Sequence, residues 1–171
     1  MSMKKSLSNL MKLLSLTVAL AFIAPVMINA QAGKANFAGT WTLNTAKSTL
    51  PQGGSGRGGG RMGGTNFTVT QDATTLTQTS TGRDGTPRST KYTLDGKETV
   101  NTFGQGESRS TAKWSADGKS LTIVTKMSFG GNERTSTAVW SMPDARTLSI
   151  VSVRPGRDGG ETKTTMVYDK K

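Results

Sequence analysis

Short segments of alternating apolar and polar residues follow one another from residue 65 to the C-terminus. Each repeat has a strand with an aromatic near its end, a tight turn containing Asp, a second strand and a Gly-rich connection. Asp-Gly turns such as 95–96 and 117–118 favour hairpins, because the primed turns that this dipeptide adopts match the twist of the flanking strands. The aromatics recur every 22 to 28 residues, at Phe67, Tyr92, Trp114, Trp140 and Tyr168. The pattern predicts an antiparallel meander.

A meander of about ten strands leaves two sheet edges, and closure into a barrel is the arrangement that removes them. We therefore predict an all-β fold over residues 33–171, a closed up-and-down antiparallel barrel of about ten strands. A segment of 139 residues fits a single domain and can bury a core.

Alternation along the strands assigns each side chain to the inside or the outside of the barrel, since successive residues point to opposite faces. Four strands give the predicted interior as Ser108, Ser110, Ala112 and Trp114; Leu121, Ile123, Thr125, Met127 and Phe129; Arg134, Ser136, Ala138 and Trp140; and Leu148, Ile150, Ser152 and Arg154. The opposite face is mostly Thr, Ser, Lys and Glu, which argues against an outer-membrane barrel because such barrels are apolar outside. The predicted interior is mixed, and its Ser and Thr positions leave room that large aliphatic residues would fill.

The predicted interior changes along the barrel axis. The aromatics lie next to the short Asp turns, which predicts a packed aromatic floor at that end. Towards the other end the inward side chains become small and polar, and three strands finish with Arg88, Arg134 and Arg154 beside Gly-rich connections. These arginines predict a positively charged mouth. In the alternative, each guanidinium turns outward or pairs with a neighbour such as Asp84, Glu133 or Asp158.

Residues 1–32 have the pattern of a cleaved secretory signal peptide. A positively charged start is followed by a largely apolar run over residues 13–27 and by a small-residue cleavage site, Ala30-Gln31-Ala32. A transmembrane anchor is the alternative, but the apolar run is shorter than the roughly 20 residues that span a bilayer, and Pro25 lies within it. We predict export to the periplasm or the medium, with no transmembrane segment in the mature chain.

The chain contains neither His nor Cys, which removes His-dependent general bases, Ser-His-Asp and Cys-His nucleophiles, and zinc sites of ordinary composition. Four Asp residues lie in hairpin turns, where local backbone hydrogen bonds explain them. No pair of carboxylates has a glycosidase-like spacing, and no Gly-x-Ser-x-Gly elbow is present. We therefore predict a protein that is not an enzyme, with no metal site and no cofactor.

The formal charge of +11 falls to +8 when the three lysines of the signal are removed. Lys and Arg are scattered and the protein is predicted to be exported, so we expect no nucleic-acid partner. The segment 51–64, PQGGSGRGGGRMGG, resembles an RGG-type RNA-binding tract in composition, but a flexible loop is the simpler interpretation. The basic surface either serves solubility or attracts an anionic partner.

The first strand of the mature chain, FAGTW at residues 37–41, resembles the F-x-G-x-W start of lipocalins and fatty-acid-binding proteins, the calycin barrels. With the meander that follows, the resemblance covers the whole mature chain, which also looks like exported bacterial lipocalin-like domains. It implies that Gly39 lets the chain cross closely under the barrel and that Trp41 plugs the closed end. The residues with predicted structural roles are Phe37, Gly39, Trp41, Tyr92, Trp114, Trp140 and Tyr168.

Two features depart from the better-known members of this family. Fatty-acid-binding proteins have two helices after the first strand, where this chain has only the Gly-rich segment. They also have an R-x-Y pair near the C-terminus that binds the ligand carboxylate, whereas residues 166–168 read Met-Val-Tyr. The resemblance therefore implies a fold more than a ligand class.

Two functions remain open. The first is a carrier that holds a small amphipathic or anionic ligand, such as a lipid or fatty acid, with its head at the mouth and its tail in the lower lumen. The second is a non-catalytic envelope module that has a filled barrel and binds a macromolecule through its surface or loops. The inward Ser and Thr favour the carrier, and we expect a monomer. The residues predicted to contact the ligand are Arg88, Arg134, Arg154, Thr125, Ser136, Ser152, Met127 and Phe129.

The signal pattern predicts a defined processing product. Expressed with its own N-terminus in a Gram-negative host, the protein should be cleaved after Ala30 or Ala32 and recovered from the periplasm or the medium. N-terminal sequencing measures the cleavage site, and an intact Met1 on protein purified from the cell envelope would reject it.

Overall fold

The computed structural model describes residues 33–49, 65–82, 84–103, 106–129, 132–156 and 160–171, apart from the side chains of Phe129 and Asn132. The predicted signal 1–32 and the Gly-rich segment 51–64 lie outside the described residues. Ten strands form one sheet: β1 (Gly39–Leu43), β2 (Asn66–Gln71), β3 (Thr75–Thr81), β4 (Pro87–Thr93), β5 (Glu98–Phe103), β6 (Gly106–Trp114), β7 (Ser120–Phe129), β8 (Asn132–Asp144), β9 (Thr147–Pro155) and β10 (Glu161–Lys170).

The strands are antiparallel, and their order in the sheet is β4-β3-β2-β1-β10-β9-β8-β7-β6-β5. Consecutive strands are therefore neighbours except at a seam between β4 and β5, and the pairing of β1 with β10 joins the two halves into a nearly closed barrel. The predicted all-β, up-and-down barrel of ten strands is confirmed. In the described part of the chain, no helix has the length and apolar character needed to cross a membrane.

Side chains close the seam, where the described backbones of β4 and β5 form no ladder. The side-chain amide of Asn101 accepts a hydrogen bond from the backbone N–H of Lys91 at 2.8 Å and donates one to the carbonyl oxygen of Lys91 at 2.9 Å. The hydroxyl of Thr99 accepts a hydrogen bond from the backbone N–H of Thr93 at 2.9 Å. These bonds satisfy backbone groups that an open sheet edge would leave to water.

Asp residues organise four of the hairpin turns in the same way. A side-chain oxygen of each accepts a hydrogen bond from the backbone N–H two residues later, at 2.7 to 3.0 Å; the pairs are Asp72 with Thr74, Asp95 with Lys97, Asp117 with Lys119 and Asp144 with Arg146. Hydrogen bonds from Thr74 and Thr75 hold the pKa of Asp72 far below its ordinary value. The local explanation of these carboxylates from sequence is therefore confirmed.

The N-terminal segment 33–38 closes one end of the barrel. Phe37 is fully buried, stacks on Trp114 with ring centroids 5.8 Å apart, and meets Trp140 edge-on at the same distance. The carbonyl oxygen of Phe37 accepts a hydrogen bond from Nε1 of Trp41 at 2.9 Å. All three tryptophans contact Phe37, which confirms the predicted aromatic floor.

Hydrogen bonds hold this segment across the floor. The side-chain amide of Gln71, on β2, accepts a bond from the N–H of Phe37 and donates one to the carbonyl oxygen of Ala35, both at 2.9 Å. The N–H of Ala35 donates to the carbonyl oxygen of Gly118, in the turn between β6 and β7, at 2.8 Å. Phe37 and Trp41 are both fully buried and joined by a hydrogen bond, so the two side chains lie together at the closed end.

Gly39 has the special backbone conformation that its motif implied. Its φ of +148° is one that residues with a side chain rarely adopt, and a Cβ there would collide with the side chain of Lys170. The Nζ atom of Lys170 lies 5.5 Å from the centre of the Trp41 ring. The close approach at Gly39 is therefore made by a lysine side chain that covers Trp41.

Both tyrosines of the chain are buried. Tyr92 lies on β4, and Tyr168 on β10 packs edge-on against Phe67 with ring centroids 4.8 Å apart. Burial disfavours the charged phenolate, which raises the pKa of Tyr92 to about 12 and also raises the pKa of Tyr168.

The floor predicts a large stability loss for Trp140→Ala. Truncation should lower the free energy of unfolding by roughly 3–5 kcal/mol, because it leaves a cavity against Phe37 and Phe67. Urea unfolding measures the change. The matched control is Val100→Ala, a truncation on the exposed outer face of β5 that should change stability by no more than about 0.5 kcal/mol. Equal effects of the two substitutions would place Trp140 outside the core.

The buried tyrosines predict a loss of stability at alkaline pH. Below about pH 10 the tyrosines are protonated in both the folded and the unfolded state. Above about pH 10 the unfolded chain loses tyrosine protons, whereas folded Tyr92 keeps its proton until about pH 12. The free energy of unfolding therefore falls as pH rises through this range. Ultraviolet absorbance should show tyrosinate only in step with unfolding followed by circular dichroism. Tyrosinate formed near pH 10 while the fold is intact would contradict the burial.

Candidate functional site

A set of polar side chains lines the barrel interior above the aromatic floor. Five of them are buried: Gln78 on β3, Ser108 and Ser110 on β6, Thr125 on β7 and Ser152 on β9. Each of these strands also buries an apolar residue of the same parity, which places the polar residues on the inward face. We call these five residues the polar belt.

The hydrogen bonds of the polar belt are incomplete. The hydroxyls of Ser110 and Thr125 lie opposite each other in the β6–β7 register and are 2.9 Å apart. Ser108 donates only a long bond, of 3.4 Å, to the carbonyl oxygen of Asn101. The Oγ atom of Ser152 is buried and has no hydrogen-bond partner among the described residues. The interior therefore presents a hydroxyl that can still donate and accept hydrogen bonds.

The polar belt includes residues on opposite walls. Gln78 and Ser152 lie on strands four positions apart in a sheet of ten, which puts β3 and β9 across the barrel from each other. Gln78 lies two residues nearer the mouth than Leu76, and Ser152 two residues nearer the mouth than Ile150. Both aliphatic residues are fully buried. A small molecule between these walls would meet polar groups on both sides and an apolar layer beneath.

The three arginines predicted at the mouth differ in their surroundings. Arg134 on β8 and Arg154 on β9 have inward parity, are exposed, and form no ion pair with the residues that the structure describes. Arg88 folds over its own hairpin turn, where its Nη2 donates to a carboxylate oxygen of Asp84 at 3.1 Å. Hydrogen bonds from Thr86 and from Arg88 lower the pKa of Asp84 to about 2. The alternative of a locally paired arginine therefore describes Arg88.

The other predicted ligand residues lie along the same inward faces. Thr125 and Ser152 belong to the polar belt, and Ser136, which is half-buried, lies opposite Thr125 in the register of β7 and β8. Met127 is half-buried one inward step nearer the mouth. Phe129 ends β7, and its side chain lies outside the described set. Contact of these residues with a ligand stays a prediction.

Gln78 is the belt residue that sequence reasoning missed. The signal was present in β3, where Leu76, Gln78 and Ser80 share one parity and a polar side chain follows a buried leucine.

Of the residues with predicted structural roles, five side chains are buried and that of Trp114 is half-buried; the five are Phe37, Trp41, Tyr92, Trp140 and Tyr168.

The described side chains of the site can bind a molecule through hydrogen bonds. Within the described ranges, no three His, Cys, Asp or Glu side chains come together where they could hold a metal ion. The polar belt offers neutral hydroxyl and amide groups at mid-height, and the mouth offers the charged guanidinium groups of Arg134 and Arg154. Such an arrangement can orient a molecule that is polar at its middle and anionic at its outer end.

Comparison with known proteins gives a shared fold. No protein-family model and no curated protein matches the chain. Among solved structures, a secretary abundant heat soluble (SAHS) protein from Ramazzottius varieornatus is 10% identical with a TM-score of 0.53, covering 79% of this chain and 95% of that one. A mutant of the fluorescent protein UnaG is 19% identical (TM-score 0.49, covering 79% and 96%). Zebrafish ileal bile acid-binding protein, solved with cholic acid, is 15% identical (TM-score 0.49, covering 79% and 98%).

At these identities the likeness concerns the fold alone. The SAHS protein matches 79% of this chain and shares its fold, which here is the ten-strand antiparallel barrel described above.

Proposed function

We propose that this chain is an exported, non-enzymatic binding protein whose barrel lumen holds a small amphipathic or anionic molecule. The observation that carries the proposal is the polar belt, and within it the buried hydroxyl of Ser152, which has no partner among the described residues. Export is supported by the signal pattern of residues 1–32.

An unpartnered buried hydroxyl is unfavourable for the empty protein. Leaving a buried donor or acceptor unsatisfied costs about 1–3 kcal/mol, and nearly all buried polar groups in folded proteins are paired. A barrel built for stability alone would carry an apolar side chain at position 152, as it does at Leu148 and Ile150 on the same strand. The polar belt is therefore better explained as the lining of a binding site than as part of the core.

The filled floor limits the depth of the lumen. The sequence led us to expect an apolar tail in the lower lumen; the aromatic and aliphatic side chains at that end are buried in one cluster, which favours a shallower site. The ligand is therefore short or compact, with a hydrogen-bonding group at the height of Ser152 and its anionic group towards Arg134 and Arg154. Met127, which lies opposite Arg134 in the register of β7 and β8, supplies apolar contact beside the anionic group.

The alternative function is a non-catalytic envelope module that binds a macromolecule through its outer surface. Two observations favour it: the floor is filled by the protein's own side chains, and Val100 is 48% exposed on the outer wall. This alternative requires the polar belt to close on itself, so that Ser152 finds a partner within the protein. The two functions therefore differ in what contacts the Oγ atom of Ser152.

Substitution of Ser152 by Ala separates the two functions. Native mass spectrometry of protein purified from its own host first identifies the bound molecule, and calorimetry then measures its affinity. Ser152→Ala should weaken binding by about two- to tenfold, the value of one neutral hydrogen bond. The stability of the empty protein should stay unchanged or rise, because the substitution removes an unsatisfied hydroxyl.

The matched control is Ser149→Ala, on the outer face of the same strand, which should leave both affinity and stability unchanged. If no molecule co-purifies and Ser152→Ala lowers the stability of the empty protein by more than about 1 kcal/mol, the hydroxyl has a protein partner and the filled barrel is favoured.

A further inference from the structure

Strands β8 and β9 separate before they reach the mouth. Their ladder ends with the pair Thr137–Val153, although β8 begins at Asn132 and β9 runs on to Pro155. On their other sides both strands stay paired over these residues, β8 with β7 as far as Asn132 and β9 with β10 as far as Pro155. The separation is therefore confined to the two edges that face each other.

A cavity of about 460 Å³ lies where the strands separate. Among the described residues its lining includes Glu133, Arg134, Thr135, Pro155 and Gly156, and we call this opening the β8–β9 cleft. Pro155 has no N–H to donate to β8, and the N–H of Gly156 donates to the carbonyl oxygen of Gly160 at 2.7 Å. The β9 side therefore has no free N–H at these two positions with which to restore the ladder.

Two arginines that form no ion pair with a described acidic residue flank this cleft. Arg134 is part of its lining, and Arg154 directly precedes Pro155 on the opposite edge. If the register of β8 and β9 continued, Arg154 would lie opposite Ser136 and diagonal to Arg134, with both arginines on the inward face. Their positive charges therefore lie on the two edges of one opening.

The described acidic residues near the cleft, Glu133 and Glu161, do not neutralise these charges. Glu133 follows Asn132 on β8 and Glu161 begins β10, and both have outward parity, opposite to Arg134 and Arg154. Neither glutamate forms an ion pair with either arginine. By contrast, Arg109 on the outer face of β6 pairs with two glutamates, at 2.9 and 2.8 Å. Arg134 and Arg154 thus keep their hydrogen-bonding capacity for another molecule.

Guanidinium groups recognise oxyanions through paired, charge-assisted hydrogen bonds. An oxyanion between two guanidinium groups on facing edges would accept hydrogen bonds from both. We propose that the β8–β9 cleft is a binding site for an oxyanion, a carboxylate or a phosphate, held between Arg134 and Arg154. This inference rests on the proposed function where the oxyanion is the head group of a lumen ligand, and a free phosphate ion presents the same chemistry.

Nuclear magnetic resonance titration of the mature protein tests the site. Inorganic phosphate, hexanoate and the neutral analogue hexanol are added separately at constant ionic strength. The guanidinium N–H signals of Arg134 and Arg154 should shift with phosphate or hexanoate and saturate, and should not respond to hexanol. Arg134→Gln and Arg154→Gln should each weaken oxyanion binding about tenfold, the value of a charge-assisted hydrogen bond.

Arg109→Gln is the matched control, since it removes a guanidinium that is already paired on the outer wall, and it should leave the affinity unchanged. Arg134→Lys is a second variant that keeps the charge but loses the forked geometry, and it should give an intermediate loss. The substituted arginines are exposed, so the variants should fold. Circular dichroism confirms this for each variant before it is titrated.

The arms of the titration distinguish the two sources of the oxyanion. Tighter binding of hexanoate than of phosphate identifies the head group of a lumen ligand, and equal or weaker binding identifies a free oxyanion. If no lumen ligand is found and phosphate still saturates the two arginines, the proposed function fails while the cleft site stands. If neither anion shifts these signals to saturation, or if Arg109→Gln weakens binding as much as Arg134→Gln, the site does not exist.

Discussion

The packing of Phe37 against Trp114 and Trp140 determines which end of this barrel is closed. Hydrogen bonds to and from the side chain of Gln71, and one to the carbonyl oxygen of Gly118, hold the N-terminal segment across the barrel end, and the aromatic rings then fill the space between the walls. Aromatic pairs of this kind contribute about 0.5–1.5 kcal/mol each beyond the area that they bury. Because one end is closed by the chain itself, a molecule can reach the interior from the opposite end or through an opening in the wall.

The core and the proposed binding site are separated along the barrel axis. The floor and the backbone ladders provide the core, and the polar belt above the floor contains a hydroxyl at Ser152 that the described residues leave unpartnered. The seam between β4 and β5 is closed by the polar side chains of Thr99 and Asn101. Above the floor, hydrogen bonding is incomplete at Ser152, and the ladder between β8 and β9 ends at the β8–β9 cleft.

The sequence predicted those features that depend on local periodicity. Alternation with a period of two residues specifies strands and faces, and an Asp at the start of a tight turn accepts hydrogen bonds from residues only two positions away. The hydrogen bonds that hold the N-terminal segment across the floor were not predicted, because they join Phe37 to Gln71, a residue 34 positions later in the chain. The sequence offered Asp84 as one possible partner of Arg88, but only the conformation of the turn decides between that pair and an inward arginine. The separation of β8 from β9 depends on the register between strands, which composition and parity leave open.

The central claim is that the polar belt above the floor lines a binding site and is not part of the core. A crystal structure of the protein purified from its own host tests this claim most directly, through the electron density around the Oγ atom of Ser152. The account predicts density for a molecule that is not part of the chain, within hydrogen-bonding distance of that atom and extending towards Arg134 and Arg154. A Ser152 hydroxyl bonded to the protein itself, with side chains packed across the lumen from Gln78 to β9, would contradict it.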